Sequence, residues 1–139
     1  MPPVDGLLKL YQSICQCEKL CSSHYSAVGG LYWTKGEGTG QAMIYGDPKE
    51  IIAFEPQIPI ADKVQECNGL GMGFTLFRLD MFRDKKLTKP WFKTVQSKEE
   101  GSGTQDLYFF KRARQAGYRV ASDNRVKVGH LDYAEDRVY

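Results

Sequence analysis

Gln105-Asp106-Leu107-Tyr108-Phe109-Phe110-Lys111-Arg112-Ala113-Arg114-Gln115-Ala116-Gly117-Tyr118-Arg119-Val120-Ala121 is the stretch on which the reading of this chain turns. It predicts a helix over 105–116, with Ser102 or Thr104 available as N-cap and Gly117 placed for the left-handed residue that ends a helix. A strand over 118–121 follows at once. A helix that hands straight on to a strand belongs to an α/β domain.

Downstream, Ser122-Asp123-Asn124 reads as a turn before a last strand over 125–128. Upstream, residues 94–104 are polar and end glycine-rich, the composition of a mobile surface loop. Before them a short helix is expected over 79–82. Strand-like pieces over 64–67 and 74–77 flank Asn68-Gly69-Leu70-Gly71-Met72-Gly73, the most unusual local feature of the chain. Residues 42–45 and 51–54 predict a hairpin around Gly46-Asp47-Pro48, and Pro56 and Pro59 make 55–63 an edge or a connection. Residues 28–33 predict a strand followed by a glycine-rich loop over 36–40. Residues 4–21 place apolar side chains at helical spacing and predict an amphipathic helix. There is no internal repeat.

At 139 residues the chain is expected to be one domain, residues 1–139. Nineteen basic against seventeen acidic side chains give a formal charge of +2, so no nucleic-acid partner is implied. The charge is unevenly split, net −3 over residues 1–77 and +5 over 78–139, and the second half would favour an anionic ligand. A hydrophobic fraction of 42% supports a soluble globular core. The longest stretch without formal charge, residues 20–34, is shorter than the roughly 20 residues of a membrane-spanning helix. No secretory signal is readable at the start, so the cytoplasm is the expected compartment, and the four cysteines are read as reduced thiols.

Several constellations bear chemistry. Glycines at alternate positions 69, 71 and 73 let backbone amides approach a ligand, but a strand-like segment follows them, so they are no dinucleotide fingerprint; a tightly turned strand is the simpler reading. Asp106 lies in the first turn of its helix, where backbone amides and the helix dipole stabilise a carboxylate; it is a candidate proton acceptor or only a favourable end charge. His130 follows a strand and a glycine and could ligate a divalent metal or be a surface residue. Cys17, Cys21 and His24, with Cys15 nearby, make a zinc site conceivable, although cysteine is also a common small core residue. Trp91-Phe92 after Pro90 is an aromatic platform or core filler.

Taken in order, these residues resemble the second half of the GT-A fold glycosyltransferases of the family 2 type. The segment Gly71-Met72-Gly73-Phe74-Thr75-Leu76-Phe77-Arg78 is similar to the family's glycine-rich segment and its strand ending in arginine. Pro90-Trp91-Phe92, then Gln105-Asp106 opening a helix that runs to Ala116-Gly117-Tyr118, and finally Val128-Gly129-His130 follow in the family's order. The likeness is specific over about 64–130. It implies a partial GT-A mixed sheet with flanking helices, without the N-terminal nucleotide-binding half, which is expected upstream of Met1.

The resemblance also implies roles. Asp106 would be the carboxylate that takes the proton from an acceptor hydroxyl in inverting members. His130 would join an Asp-x-Asp motif in holding Mn²⁺ or Mg²⁺ on the donor diphosphate. Gly71, Met72, Gly73, Trp91 and Gln105 would line the sugar and acceptor side, and the substrates would be a nucleotide sugar and a saccharide acceptor. Two features depart from the pattern: the family's Glu-Asp is Gln105-Asp106, and no two aspartates of the chain are two residues apart. The expectation is therefore a truncated transferase, inactive alone, needing no metal by itself, and paired as a homodimer through an exposed strand edge. The alternative is a non-catalytic saccharide- or protein-binding module.

Overall fold

The computed structural model of the chain describes residues 4–36, 40–51, 53–98 and 101–139. Helix α1 spans Val4–Ser23 and α2 spans Gln105–Gln115. The first strands are β1 Ala27–Leu31, β2 Trp33–Thr34, β3 Gln41–Ala42, β4 Ile44–Tyr45, β5 Val64–Cys67, β6 Gly69–Leu70 and β7 Thr75–Phe77. After a 3-10 helix at Leu79–Arg83 come β8 Val95–Ser97, β9 Gly101–Gly103, β10 Val120–Lys127, β11 Leu131–Asp132 and β12 Arg137–Val138.

Four strands form the main sheet in the order β5-β10-β1-β7. Its central pair is parallel, Ala27 opposite Val120, while β5 and β7 run antiparallel to their neighbours, so the sheet is mixed. Side chains alternate across a strand, and the register slip of β10 between Asp123 and Lys127 switches that alternation, so that Val120 and Val126 face opposite ways. On one face Ala27, Leu31, Cys67 and Val120 pack under Phe109, Phe110 and Ala113 of α2; on the other, Val28 and Val126 pack under Cys17 and Cys21 of α1. The molecule is an α/β structure with a mixed sheet between two helices. Among the described residues no helix is long and apolar enough to cross a membrane.

Helix α2 starts where its sequence says. Gly117 has a φ of +94°, the left-handed residue expected after the helix. The strand that follows is longer than expected. Residues 122–124 form no turn but lie inside β10, whose register against β1 slips just after them, from Asp123 opposite Gly30 to Lys127 opposite Leu31, and each polar side chain finds a partner. Asp123 is gripped by Arg125 through Nε at 2.8 Å and Nη2 at 2.9 Å, and receives Gln16 Nε2 of α1 at 2.8 Å. Asn124 donates to the Ile60 carbonyl and to Gln65, each at 2.9 Å, and accepts the Ser122 hydroxyl at 2.7 Å.

The expected hairpin is displaced: 42–45 turns back not on 51–54 but on 55–57, where Tyr45 faces Pro56 in an antiparallel bridge, the Gly46 N–H bonds the Glu55 carbonyl at 2.8 Å and the Gln57 N–H bonds the Ile44 carbonyl at 2.9 Å. On its other side β4 pairs with β6, Ile44 opposite Leu70, and the loop after β4 is held by one side chain. The fully buried Asn68 amide donates to the carbonyls of Asp47, Glu50 and Ala53 at 2.7, 2.6 and 2.8 Å, while its oxygen accepts Arg114 Nε at 3.1 Å. These bonds hold the loop between the two paired segments in place. Residues 94–104 also differ from the loop expected, since β8 and β9 pair antiparallel with Val95 opposite Gly103. Residues 28–33 divide between β1 and β2 at Tyr32.

Candidate functional site

Met72, Gln105 and Asp106 come together on the wall of one pocket of about 650 Å³. The rest of its wall is supplied by residues 94–96 and 103–104, along the β8–β9 pair, and by Leu107. The pocket therefore opens where the sheet meets the start of α2. Asp106 is half-buried there. One of its oxygens, Oδ1, accepts the Leu107 N–H at 2.9 Å and a short hydrogen bond from the Thr104 hydroxyl. Its other oxygen takes no hydrogen bond among the described residues. A carboxylate oriented through one oxygen and open at the other can accept a proton from a bound hydroxyl.

Gly71 and Gly73 sit beside this pocket for a packing reason. A Cβ on Gly71 would fall 2.2 Å from the Tyr32 hydroxyl, and one on Gly73 would fall 2.7 Å from Tyr32 Cζ. The alternate glycines make a seat for the Tyr32 ring, and the Gly73 N–H donates to its hydroxyl at 2.9 Å. Burial pushes the Tyr32 phenol up, the Gly73 N–H holds it back, and the Asp106 charge adds to the rise. Tyr45 is raised in the same way, by burial first, against the Gln41 hydrogen bond and with a contribution from Asp106. The Asp106 field thus reaches both phenols.

Tyr32 also bridges to the last candidate. Its ring meets His130 edge-on, centroids 6.1 Å apart. His130 is exposed and its backbone is paired with Tyr139, N to O at 3.1 Å and O from N at 2.9 Å, which anchors it at the base of the β11–β12 hairpin. Sequence reasoning missed Tyr32. The signal for it was indirect: alternate glycines outside a phosphate motif imply a bulky neighbour, and Tyr32 follows the strand that passes them.

The other candidates lie apart. Trp91 is not on the pocket wall; its indole N–H donates to the Leu87 carbonyl at 2.8 Å and its ring packs edge-on against Phe82, centroids 5.0 Å apart. Cys17 and Cys21 turn inward to the sheet, and His24 is exposed against Ser23. Burial pushes the Cys17 thiol up to about 11, and Cys21 donates weakly to the Ser26 and Leu76 carbonyls. These thiols are core residues rather than ligands, which corrects the zinc reading. Among the described residues no three His, Cys, Asp or Glu side chains converge as metal ligands. His130 alone does not fit Mn²⁺ or Mg²⁺, which need several oxygen donors, and no step below runs through a metal.

A second pocket, of about 600 Å³, opens at the carboxyl ends of the parallel pair β1 and β10, between Leu31, Trp33, Ile58, Val128 and Tyr139. Its character is apolar.

No family model and no curated protein matches the chain. Among solved structures it is similar to A197 from STIV, with 20% sequence identity and a TM-score of 0.58, over 90% of this chain and 56% of that one. The chain spans little more than half the length of that neighbour, and the likeness is one of fold, a mixed α/β architecture.

Proposed function

We propose that the chain is the acceptor-side portion of a GT-A type glycosyltransferase, a partial GT-A domain that does not turn over until a nucleotide-binding half completes it. The observation that carries this reading is the position of Asp106: half-buried, oriented through one oxygen, and sharing a pocket with Met72 and Gln105. In this reading Asp106 accepts the proton of the acceptor hydroxyl as the hydroxyl oxygen attacks the sugar carbon, and the bond from that carbon to the donor's diphosphate breaks, its electron pair leaving with the nucleoside diphosphate. Gln105 and Met72 contact the acceptor, with Gly71 and Gly73 holding the wall in place through Tyr32. Trp91 acts from behind, as support for that wall. His130 stands on the donor side.

Titration calorimetry of UDP and GDP, with and without Mn²⁺, tests the division of labour. No binding is expected from the chain alone. Metal-dependent binding would mean that a donor site is complete in this chain, within one copy or across a homodimer formed through the outer edge of β7, which light scattering would detect. The second step is to fuse the chain behind the nucleotide-binding half of a GT-A transferase and compare it with Asp106→Asn. Loss of turnover with saccharide binding retained supports the transferase. An Asp106→Asn protein that binds a saccharide or a protein unchanged, with no turnover in either form, identifies a binding module instead.

A further inference from the structure

Residues 83–98 carry six basic side chains, Arg83, Lys85, Lys86, Lys89, Lys93 and Lys98, against the single acid Asp84. The rest of the second half is balanced, so this segment accounts for the whole +5 excess there. Glu99 and Glu100, which come next, lie outside the described residues. The segment has a definite shape. The Leu87 N–H bonds the Asp84 carbonyl at 3.0 Å and the Lys86 N–H bonds Asp84 Oδ1 at 2.8 Å, closing a turn with Lys85 and Lys86 at its corner. Arg112 of α2 donates to the Thr88 and Pro90 carbonyls at 2.9 and 3.1 Å and clamps the segment to the helix beside Lys111. The Lys89 ammonium lies over the Trp91 ring, 5.0 Å from its centroid. Phe92 is 37% exposed, its ring backed by Phe109 with centroids 5.0 Å apart. Lys85, Lys86, Lys89 and Lys111 are all exposed and form no ion pair among the described residues.

We propose that this ridge, residues 85–93, docks the protein on the anionic surface of a phospholipid bilayer. Clustered lysines, as hydrated point charges, suit a diffuse negative surface. Pro90 and the partly exposed Phe92 beside the lysines offer an apolar edge that can rest at the headgroup boundary. A nucleic acid fits less well. Of the two arginines at hand, Arg112 is occupied by carbonyls and Arg83 stands alone at the start of the segment, and Trp91 and Phe92 are backed by Phe82 and Phe109 rather than forming an open stack for bases. The ridge leads directly into Thr94 and Val95 of the pocket wall, so docking would bring that pocket to the membrane. The inference does not depend on sugar transfer.

Flotation of the purified chain with phosphatidylcholine vesicles, with and without phosphatidylserine, tests it. Partition is expected only with phosphatidylserine, and is expected to fall as salt rises. The triple variant Lys85→Gln, Lys86→Gln, Lys89→Gln should bind about a hundredfold more weakly, about fivefold per lysine. A matched triple, Lys9→Gln, Lys49→Gln, Lys63→Gln, removes the same charge from exposed sites in the first half and should change binding little. Circular dichroism establishes that both variants are folded. No partition into anionic vesicles, equal loss in the two triples, or tighter binding to a single-stranded oligonucleotide than to vesicles would overturn the proposal.

Discussion

The two faces of the main sheet are built from different materials. Under α2 lies a mass of large rings: Phe109 and Phe110 are buried, Phe77 meets Phe109 edge-on with centroids 5.5 Å apart, and Phe82 stacks on Phe109 at 5.4 Å. Under α1 the fully buried side chains are small, Cys17, Cys21, Val28 and Val126, the larger Leu20, Tyr25, Phe74 and Leu76 are only partly buried, and the helix leaves Leu8, Leu10, Tyr11 and Ile14 exposed. Buried area scales with side-chain size, so the α2 face holds most of the hydrophobic free energy. What α1 lacks in area it gains partly in specificity, from Gln16 reaching Asp123. The candidate site stands on the heavy face, where Asp106 can be positioned firmly.

The sharpest way to break this contrast is to hollow each face in turn. Phe109→Ala should cost about 3–5 kcal/mol in denaturant unfolding and lower the cooperativity of the whole domain. Val28→Ala, the corresponding deletion on the α1 face, should cost about 2 kcal/mol. Similar losses from the two would show that the faces share the load. A smaller effect comes with acid. Burial would raise the Asp123 carboxyl, but the hydrogen bonds from Arg125 and Gln16 outweigh it and hold the group below its ordinary value. Its stabilising contribution is therefore complete above the unfolded carboxylate pKa, about 3.9, and is lost as pH falls through the lower folded value. Melting followed across acid pH should show Asp123→Asn flattening that loss, with α1 the first element affected.

Legibility followed the range of the interactions. Both helices, the strand at 64–67 and the left-handed Gly117 were readable because periodicity and local turn chemistry decide them. The segment 122–124 was not: its three polar residues say turn locally, and beside the neighbouring Arg125 it takes Gln16 and Gln65, 107 and 59 residues away from their partners, to seat them inside a sheet. The 46–53 loop misled for the same reason, since Asn68 gathers its carbonyls and β4 meets its partner at 55–57 instead of 51–54. In the site, Met72, Gln105 and Asp106 were within reach of the sequence, and Tyr32 was not, because its place is fixed by the absence of side chains on another segment.

Two milder tests sharpen the comparison. Alkylation of the native protein should modify Cys15, the partly exposed thiol, well before Cys17, Cys21 and Cys67; burial pushes Cys67 up to about 12. Equal labelling of Cys17 would show that the α1 face opens readily, and mass spectrometry reads the order. Least of all in stability, Asp106→Asn should shift unfolding by no more than about 0.5 kcal/mol, as befits a side chain whose place is on a pocket wall.

The seat of Tyr32 links three positions that lie far apart in sequence. Because its ring occupies the volume that side chains at 71 and 73 would need, these positions trade size as one unit: a methyl group added at 73 requires a smaller residue at 32. Gly73→Ala and Tyr32→Leu, each damaging alone, should rescue one another in the double variant, a coupling that a thermodynamic cycle would measure. A natural chain can therefore exchange bulk between position 32 and the 71–73 segment while leaving every strand where it is.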